Sequence, residues 1–322
     1  MTDHFPAEWA PHDSVWIGFP SAPDLWLEDL EGAQEEVAAF ARAVHAGGKG
    51  ERVELVCADE DAATVARRLA PDAAILIEPF FDIWLRDTGP LVLSDGRALD
   101  YPGNGWGGKY PSPLDEALAE KLAAHADLPR TAKTMILEGG AIDMDGAGLL
   151  VTTEQCLLNP NRNPGMSREQ IEAELKANLG VTQILWLGEG LAGDHTDGHV
   201  DNLARFVAPG VLALPEPDGD DPNADVYADA WQRAQNWPVE IVPLPSPGRV
   251  EEEGEPIAAS YMNFYIGNAA VVVPTHGQPN DDAAVKAIAA LFPDRQVVGL
   301  PTGHILTGGG SFHCISQQVP AR

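Results

Sequence analysis
Arg86-Asp87-Thr88-Gly89-Pro90, with Trp84 and Leu85 just ahead, packs a cation, an acid, a hydroxyl and a Gly-Pro break into five residues. Four other short segments are over-specified for ordinary core in the same way. They are Glu138-Gly139-Gly140, Gly198-His199-Val200-Asp201-Asn202, Ser260 to Tyr265, and Gly308 to Cys314. With residues 87, 138, 199, 260 and 314 as anchors, the gaps are 51, 61, 61 and 54 residues. Near-even spacing of this length predicts about five structural modules, each delivering a strand end to one centre. The modules share no visible sequence similarity with one another.

Between these segments the chain alternates short strands with helices. Val53–Cys57 is a β-branched apolar run, and Asp61–Ala70 follows with helical spacing up to Pro71. Glu28–Ala46 reads as an amphipathic helix stopped by Gly47 and Gly48. Ser167 opens a helix with Gln170 three residues on, a capping box, and Gly180 ends it. Gln183–Leu187, Ala269–Val273 and Gln296–Val298 read as strands, and Asp281–Leu291 as a helix. Such alternation argues for an α/β architecture. The 32 Gly and 27 Pro punctuate many elements without marking a linker, so residues 1–322 are expected to form one domain. The acid-rich Pro215–Asp229 and Glu251–Glu255 read as solvated loops.

The 322 residues carry 20 Lys and Arg against 49 Asp and Glu, a net charge of −29. That balance excludes a phosphate-neutralising function, so nucleic acid is not an expected partner. An anionic membrane surface is disfavoured for the same reason. The charge fits either solubility or a field that draws in a small cation. No run of 18 apolar residues occurs, so no membrane span is expected. Met1–Ala10 lacks the pattern of a secretory leader. The three cysteines are too few and scattered for a disulfide framework or a zinc site. A cytoplasmic location is the resulting expectation.

Cys57 sits in a strand pattern and reads as core, and Cys156 could be either core or functional. Cys314 follows Gly308-Gly309-Gly310, where the backbone can turn tightly and approach a ligand. A nucleophilic thiol needs a proton-transfer partner, usually histidine, and His195, His199, His304 and His313 are the candidates. His199 stands out because Asp201 lies two residues on, on the same face if the segment is extended. His195 and His199, with Asp197 and Asp201 nearby, also have a spacing that would suit a metal on a helix. Gly198 and Val200 speak instead for a turn and a strand. Asp87 is expected where a strand ends in a turn, and Glu138 after the strand-like Thr134–Leu137. A cysteine, a histidine and three acids together suit a cationic substrate attacked by a thiolate, with carboxylates clamping a guanidinium.

These segments resemble the agmatine deiminase and bacterial-type peptidyl-arginine deiminase family of guanidine-modifying enzymes. The resemblance runs over nearly the whole chain. It begins at Pro6-Ala7-Glu8-Trp9 and includes Trp84 to Pro90, Asn104-Gly105-Trp106-Gly107-Gly108-Lys109 and Leu137 to Gly140. It continues through Leu157 to Pro164, Gly198 to Asn202 and Tyr261 to Tyr265, and ends at Gly309 to Gln318. It implies a pentein-type, five-bladed α/β propeller with pseudo-fivefold symmetry. It also implies hydrolysis of a guanidine to a urea with release of ammonia, agmatine giving N-carbamoylputrescine. Neither metal nor organic cofactor is implied. Cys314 resembles the nucleophile, His199 the general acid/base and Glu138 the acid that orients it. Asp87 and Asp201 resemble the pair that holds the guanidinium. Trp84, Asn104, Trp106, His195, His304 and Gly309 fall at expected substrate-binding positions.

Two departures bear on the substrate. His195 stands where agmatine deiminases usually carry an acid, and Gly303-His304 where they carry Arg-Glu. The chain is also short for an agmatine deiminase. Arginine, peptidyl arginine or another guanidino acid is therefore the alternative substrate class. An amidinotransferase, a non-catalytic guanidine- or polyamine-binding protein and a metal hydrolase are further alternatives. The expected partner is a small cationic guanidino compound, and a homodimer is an allowed assembly.

Overall fold
Val15, Trp16, Ile17 and Phe19 form a dense apolar run, the pattern of a strand covered on both faces. They lie in strand His12–Phe19 and are fully buried. This strand pairs antiparallel with Ser316–Pro320 at the far end of the chain, Trp16 opposite Gln317. It pairs in parallel with Arg52–Cys57, reached through helix Leu30–His45. The computed structural model describes residues 4–252 and 254–322. Met1–Asp3 of the opening segment and Glu253 of the acidic run lie outside the described residues.

The same unit recurs. Leu91–Val92, Ala98–Asp100 and Arg130–Ala132 form the second sheet. Ile142–Met144, Leu149–Thr153 and Gln183–Leu187 form the third. Arg205–Ala208, Val211–Glu216 and Glu240–Pro245 form the fourth. Tyr265–Ile266, Ala270–Thr275 and Gln296–Pro301 form the fifth. Each is an antiparallel pair continued by a parallel strand, the crossover carrying a helix. The helices after the first are Leu118–His125, Arg168–Leu179, Ala224–Ala234 and Asp281–Leu291. The first sheet adds Ala74–Ile77 beyond Arg52–Cys57, through helix Glu60–Leu69. This is a five-bladed α/β propeller, and pairing of the two terminal strands joins the ends of the chain.

Local sequence explains most boundaries. Ser167 caps Arg168–Leu179 with the reciprocal Gln170 bond in place. Asp59 caps Glu60–Leu69 by accepting from the Ala62 amide. Four local expectations are corrected. Thr134–Leu137 is irregular, and the strand is Arg130–Ala132. Asp87 lies on the one-turn helix Leu85–Thr88. Within Pro215–Asp229 a helix starts at Ala224, and Asp221 is buried against Ser246 Oγ. The pairs Glu251–Glu252 and Glu255–Pro256 form an exposed hairpin. No described helix is long and apolar enough to cross a membrane.

Where the modules meet, charged side chains replace apolar core. Arg205 is fully buried. Its Nη2 donates to Glu8 Oε2 at 2.8 Å and its Nε to Asp143 Oδ2 at 3.2 Å. Its Nη1 donates to the Phe264 carbonyl at 2.7 Å. Glu8 Oε2 is also 2.7 Å from His313 Nε2 and 3.6 Å from Arg86 Nη2. Glu8 Oε1 accepts from the Ile266 amide at 2.7 Å. Arg86 donates to Gln318 Oε1 and to the His313 carbonyl. Burial alone would raise the Glu8 carboxyl, but Arg205, His313 and Arg86 hold it well below the carboxylate range. One network therefore ties the opening segment to residues of every blade.

Replacing Arg205 by Met takes the shared cation from two buried carboxylates, Glu8 and Asp143, a loss of about 3–5 kcal/mol for a broken buried pair. Urea unfolding of Arg205→Met at pH 7 should show it, and a loss below about 1 kcal/mol would contradict it.

Candidate active site
Five reactive or polar segments stand just ahead of the first strand of each blade. Asp87, Glu138 and Asp201 each precede their strand by four residues, at Leu91, Ile142 and Arg205. Asn263 and Cys314 precede theirs by two, at Tyr265 and Ser316. Repetition of the blade thus brings distant residues to one centre. The extended His199–Asp201 pair is corrected: Val200–Asn202 is a 3-10 turn that begins after His199. The two side chains converge all the same. A Cβ placed on Gly140 would lie 2.6 Å from His199 Nδ1, 2.9 Å from Asp87 Oδ1 and 3.0 Å from Asp201 Oδ2.

Cys314 is held from two sides. Asn263 Nδ2 donates to its sulfur at 3.0 Å, and Asn263 Oδ1 accepts from the His313 and Cys314 amides. The thiol donates to Asp201 Oδ2 at 3.4 Å. Phe312 stacks on Phe40 with centroids 4.7 Å apart, anchoring the segment in the first blade's core. Gly308 and Gly310 press on one indole, since a Cβ would come 2.8 Å from Trp84 Cζ2 at Gly308 and 2.6 Å from Trp84 Cζ3 at Gly310. Burial pushes the Cys314 thiol well above its ordinary pKa, and Asp201 and Asp87 push it further.

His199 is buried, and neither ring nitrogen has a hydrogen-bond partner among the described residues. Its Nδ1 is 3.6 Å from Asp87 Oδ2. Burial disfavours its charged form, but Asp87, Cys156 and Glu138 outweigh that and hold the imidazole well above its ordinary pKa. Asp87 Oδ1 accepts from the Gly140 amide and Oδ2 from Trp106 Nε1, each at 2.8 Å. Burial pushes the Asp87 carboxyl up. Burial acts the same way on Asp201, but a 2.8 Å contact from His313 Nδ1 brings its pKa below the ordinary value. Asp201 Oδ1 is buried with no partner among the described residues. The centre is rich in acceptors and short of cations, the complement of a guanidinium with its several N–H donors.

Glu138 is buried and shares both oxygens with Arg162 Nε, at 3.1 and 3.2 Å. Arg162 also meets Asp197, which pairs with Lys109 and sits at about pKa 2. His195 is exposed and Asp197 is committed to these cations, so the two do not join His199 in a cluster of ligands. Instead Glu138, Cys156 and His199 each bring a potential ligand atom within 4.8 Å of the others. Glu138 is already occupied by Arg162, so the trio poorly suits a cation.

A cavity of about 220 Å³ leads to the centre. Cys314, Asp87, Trp84 and Trp106 line it from buried positions, and Leu25, Phe81 and Tyr110 from exposed ones. Gly309 and His195 also line it. Asn104 does not: its Oδ1 accepts from the Gly107 amide and its Nδ2 donates to the Asn161 carbonyl, fixing the turn that presents Trp106. His304 is corrected outright. It lies outside this lining, and its Nδ1 is 2.7 Å from Asp29 Oδ1 on the outer surface. Sequence reasoning missed Asn263, although it falls inside the marked Ser260–Tyr265 segment. Arg162 and Glu8 lay in quoted motifs without a role. Cys156 and Asp82 carried no signal that separated them from ordinary core or loop residues.

Residues 4–320 match the family described as Porphyromonas-type peptidyl-arginine deiminase. Agmatine deiminase of Stutzerimonas stutzeri is 40% identical over 356 residues, covering 99% of this chain and 95% of that protein. The solved agmatine deiminase of Enterococcus faecalis superposes with a TM-score of 0.93 at 31% identity, covering 99% of this chain and 96% of that one. The agmatine deiminase of C. jejuni gives a TM-score of 0.90 at 27% identity, covering 99% and 96%.

Gly140 tests the convergence directly. A methyl group there would displace His199, Asp87 and Asp201 together, and misplacing reacting groups by about 1 Å costs about 100-fold. Gly140→Ala should lower kcat/KM by at least that much, with the circular dichroism spectrum near that of the parent and stability lowered by about 1–3 kcal/mol through overpacking. Activity within threefold of the parent would show that the three side chains do not act as one unit.

Proposed function
The chain belongs to the Porphyromonas-type peptidyl-arginine deiminase family and hydrolyses a guanidino compound; we propose that the substrate is agmatine, converted to N-carbamoylputrescine and ammonia. The observation that carries the reading is the buried acid-rich centre around Cys314, reached through a narrow aromatic cavity. We take residues 1–322 as one catalytic domain.

The guanidinium docks with its N–H groups toward Asp87 and Asp201, whose free acceptor capacity suits it. Its charge offsets the two carboxylates that hold the Cys314 proton on, so the thiol ionises as substrate binds and its proton leaves to solvent. Cys314 sulfur then forms a bond to the guanidinium carbon. The raised pKa of His199 supports its arriving protonated. It gives that proton to the departing nitrogen, the C–N bond breaks, and ammonia leaves with an S-alkylthiouronium on Cys314. His199, now neutral, takes a proton from water. The hydroxide adds to the same carbon, the C–S bond breaks and the added hydroxyl gives its proton to the sulfur, which releases the neutral urea and restores the thiol. Glu138, locked by Arg162, supplies the negative charge that favours the histidine cation.

Cys314→Ala should abolish ammonia release. In a panel of agmatine, arginine, an arginine-containing peptide and short guanidino acids, agmatine should have the highest kcat/KM. A better carboxylated substrate would overturn the agmatine assignment. Ureido product must match ammonia one to one, whereas an amidinotransferase would release no ammonia.

Thiol chemistry gives a separate check. A thiol raised above its ordinary pKa is neutral at pH 7, and its thiolate fraction grows as pH rises toward that pKa. Alkylation of Cys314 by neutral iodoacetamide should therefore be slow at pH 7 and accelerate up to pH 9 and beyond. A cationic haloacetamidine should react much faster at pH 7, and agmatine should block it. An iodoacetamide rate that is flat from pH 7 to 9 would mean that the free enzyme already holds a thiolate.

A further inference from the structure
The tail of the substrate must lie in the outer part of the cavity, because the reacting carbon sits at Cys314. Neither of the two positions that depart from the family pattern supplies an acid for that tail. His195 is exposed at the rim, and His304 faces Asp29 outside. The cavity nevertheless has a second acid besides Asp87, namely Asp82, which lines the same space as Cys314. Its Oδ1 accepts from the Ile83 amide at 2.8 Å and its Oδ2 from Trp84 Nε1 at 2.7 Å. These two donors fix the carboxyl, the Trp26 indole N–H is directed at it as well, and acceptor capacity remains for a further donor.

We infer that Asp82 receives the distal ammonium of the substrate and makes the site select aminoalkyl guanidines over guanidino acids. This rests on the deiminase reading above and deepens it. Three observations carry it. Asp82 has no ion pair with any described residue, so its carboxyl is open to a cationic ligand. Among the described residues no Lys or Arg lines the cavity, so a substrate carboxylate would meet Asp82, Asp87 and aromatic rings with only His195 to answer it. Trp26 and Trp84, 6.4 Å apart, line the space beside the carboxyl, and such rings favour a cation. Burial holds the Asp82 carboxyl up at about pKa 7, and Asp115 nearby adds to this. A bound ammonium supplies the countercharge that the protein leaves out.

The test compares agmatine with 1-butylguanidine, which has the same reacting group and nearly the same length but no amine. In the parent enzyme agmatine should have the higher kcat/KM, chiefly through KM. In Asp82→Asn the ratio of the two kcat/KM values should fall about 10–100-fold, the range for losing a charge-assisted hydrogen bond. Equal losses on both substrates would leave the ratio unmoved and show that Asp82 acts only through Trp84, which overturns the inference. A parent enzyme that does not prefer agmatine to butylguanidine overturns it as well.

Calorimetry on Cys314→Ala, with and without Asp82→Asn, reads the same ratio as binding. If no guanidine is turned over but Asp82→Asn still abolishes the preference for agmatine in binding, the deiminase reading fails and the assignment of Asp82 stands. If turnover is normal and the preference survives Asp82→Asn, the reverse holds.

Discussion
The buried charge network around Glu8 and Arg205 is the constraint on which the remaining structure depends. Arg205 is out of reach of water, so every donor it carries must find an acceptor inside the protein. It finds them on the opening segment at Glu8, in the third blade at Asp143 and ahead of the fifth at Phe264. Arg86 and His313 close the same network from the second and first blades. Apolar contacts would tolerate small slips between blades. Directional bonds to a shared carboxylate do not, and they fix the mutual positions of segments that lie up to 305 residues apart.

The site inherits that registration. His313 joins Glu8 through Nε2 and Asp201 through Nδ1, so the structural network ends one hydrogen bond from the Cys314 thiol. The two regions have opposite charge balance. Around Glu8, two arginines and a histidine answer the acids. Around Cys314, Asp87 and Asp201 have little cationic company beyond His199 and His313. A fold that pairs its charges so fully at the centre and leaves acids under-compensated beside it has reserved a place for a cation. In this protein the net charge of −29 matters through that local excess, because most acids elsewhere are exposed or paired with arginine and lysine.

The five-part architecture was legible because each blade begins with an unusual segment at nearly constant spacing. Asp87, Glu138, His199, Asp201 and Cys314 were legible for the same reason, and the structure gathers them in one place. Their local conformations were less accessible. His199 and Asp201 look like an alternating strand in sequence, yet His199 caps a 3-10 turn and Asp201 lies within it. They share a pocket because Gly140, from another blade, leaves room between them. Local periodicity gave a sound conclusion there for an incorrect reason. The partners that hold the site, Asn263 on Cys314 and Arg162 on Glu138, are 51 and 24 residues away and follow no local period.

Asp82 and His304 show where such reading stops. Both are polar residues near recognisable segments, and residue type alone would favour neither over the other as a tail-binding group. Tertiary placement separates them. Helix Leu30–His45 brings Glu36 under the His304 amide, while Asp29, just ahead of that helix, captures the imidazole, turning it to the outside. Trp84, packed against Gly308 and Gly310, carries its indole N–H to Asp82 and holds that carboxyl at the cavity wall. An acid missing from one loop is thus replaced by an acid on another, at a position set by aromatic packing. The charge offered to a substrate tail is a property of the assembled cavity, and substitutions counted along a single loop do not determine it.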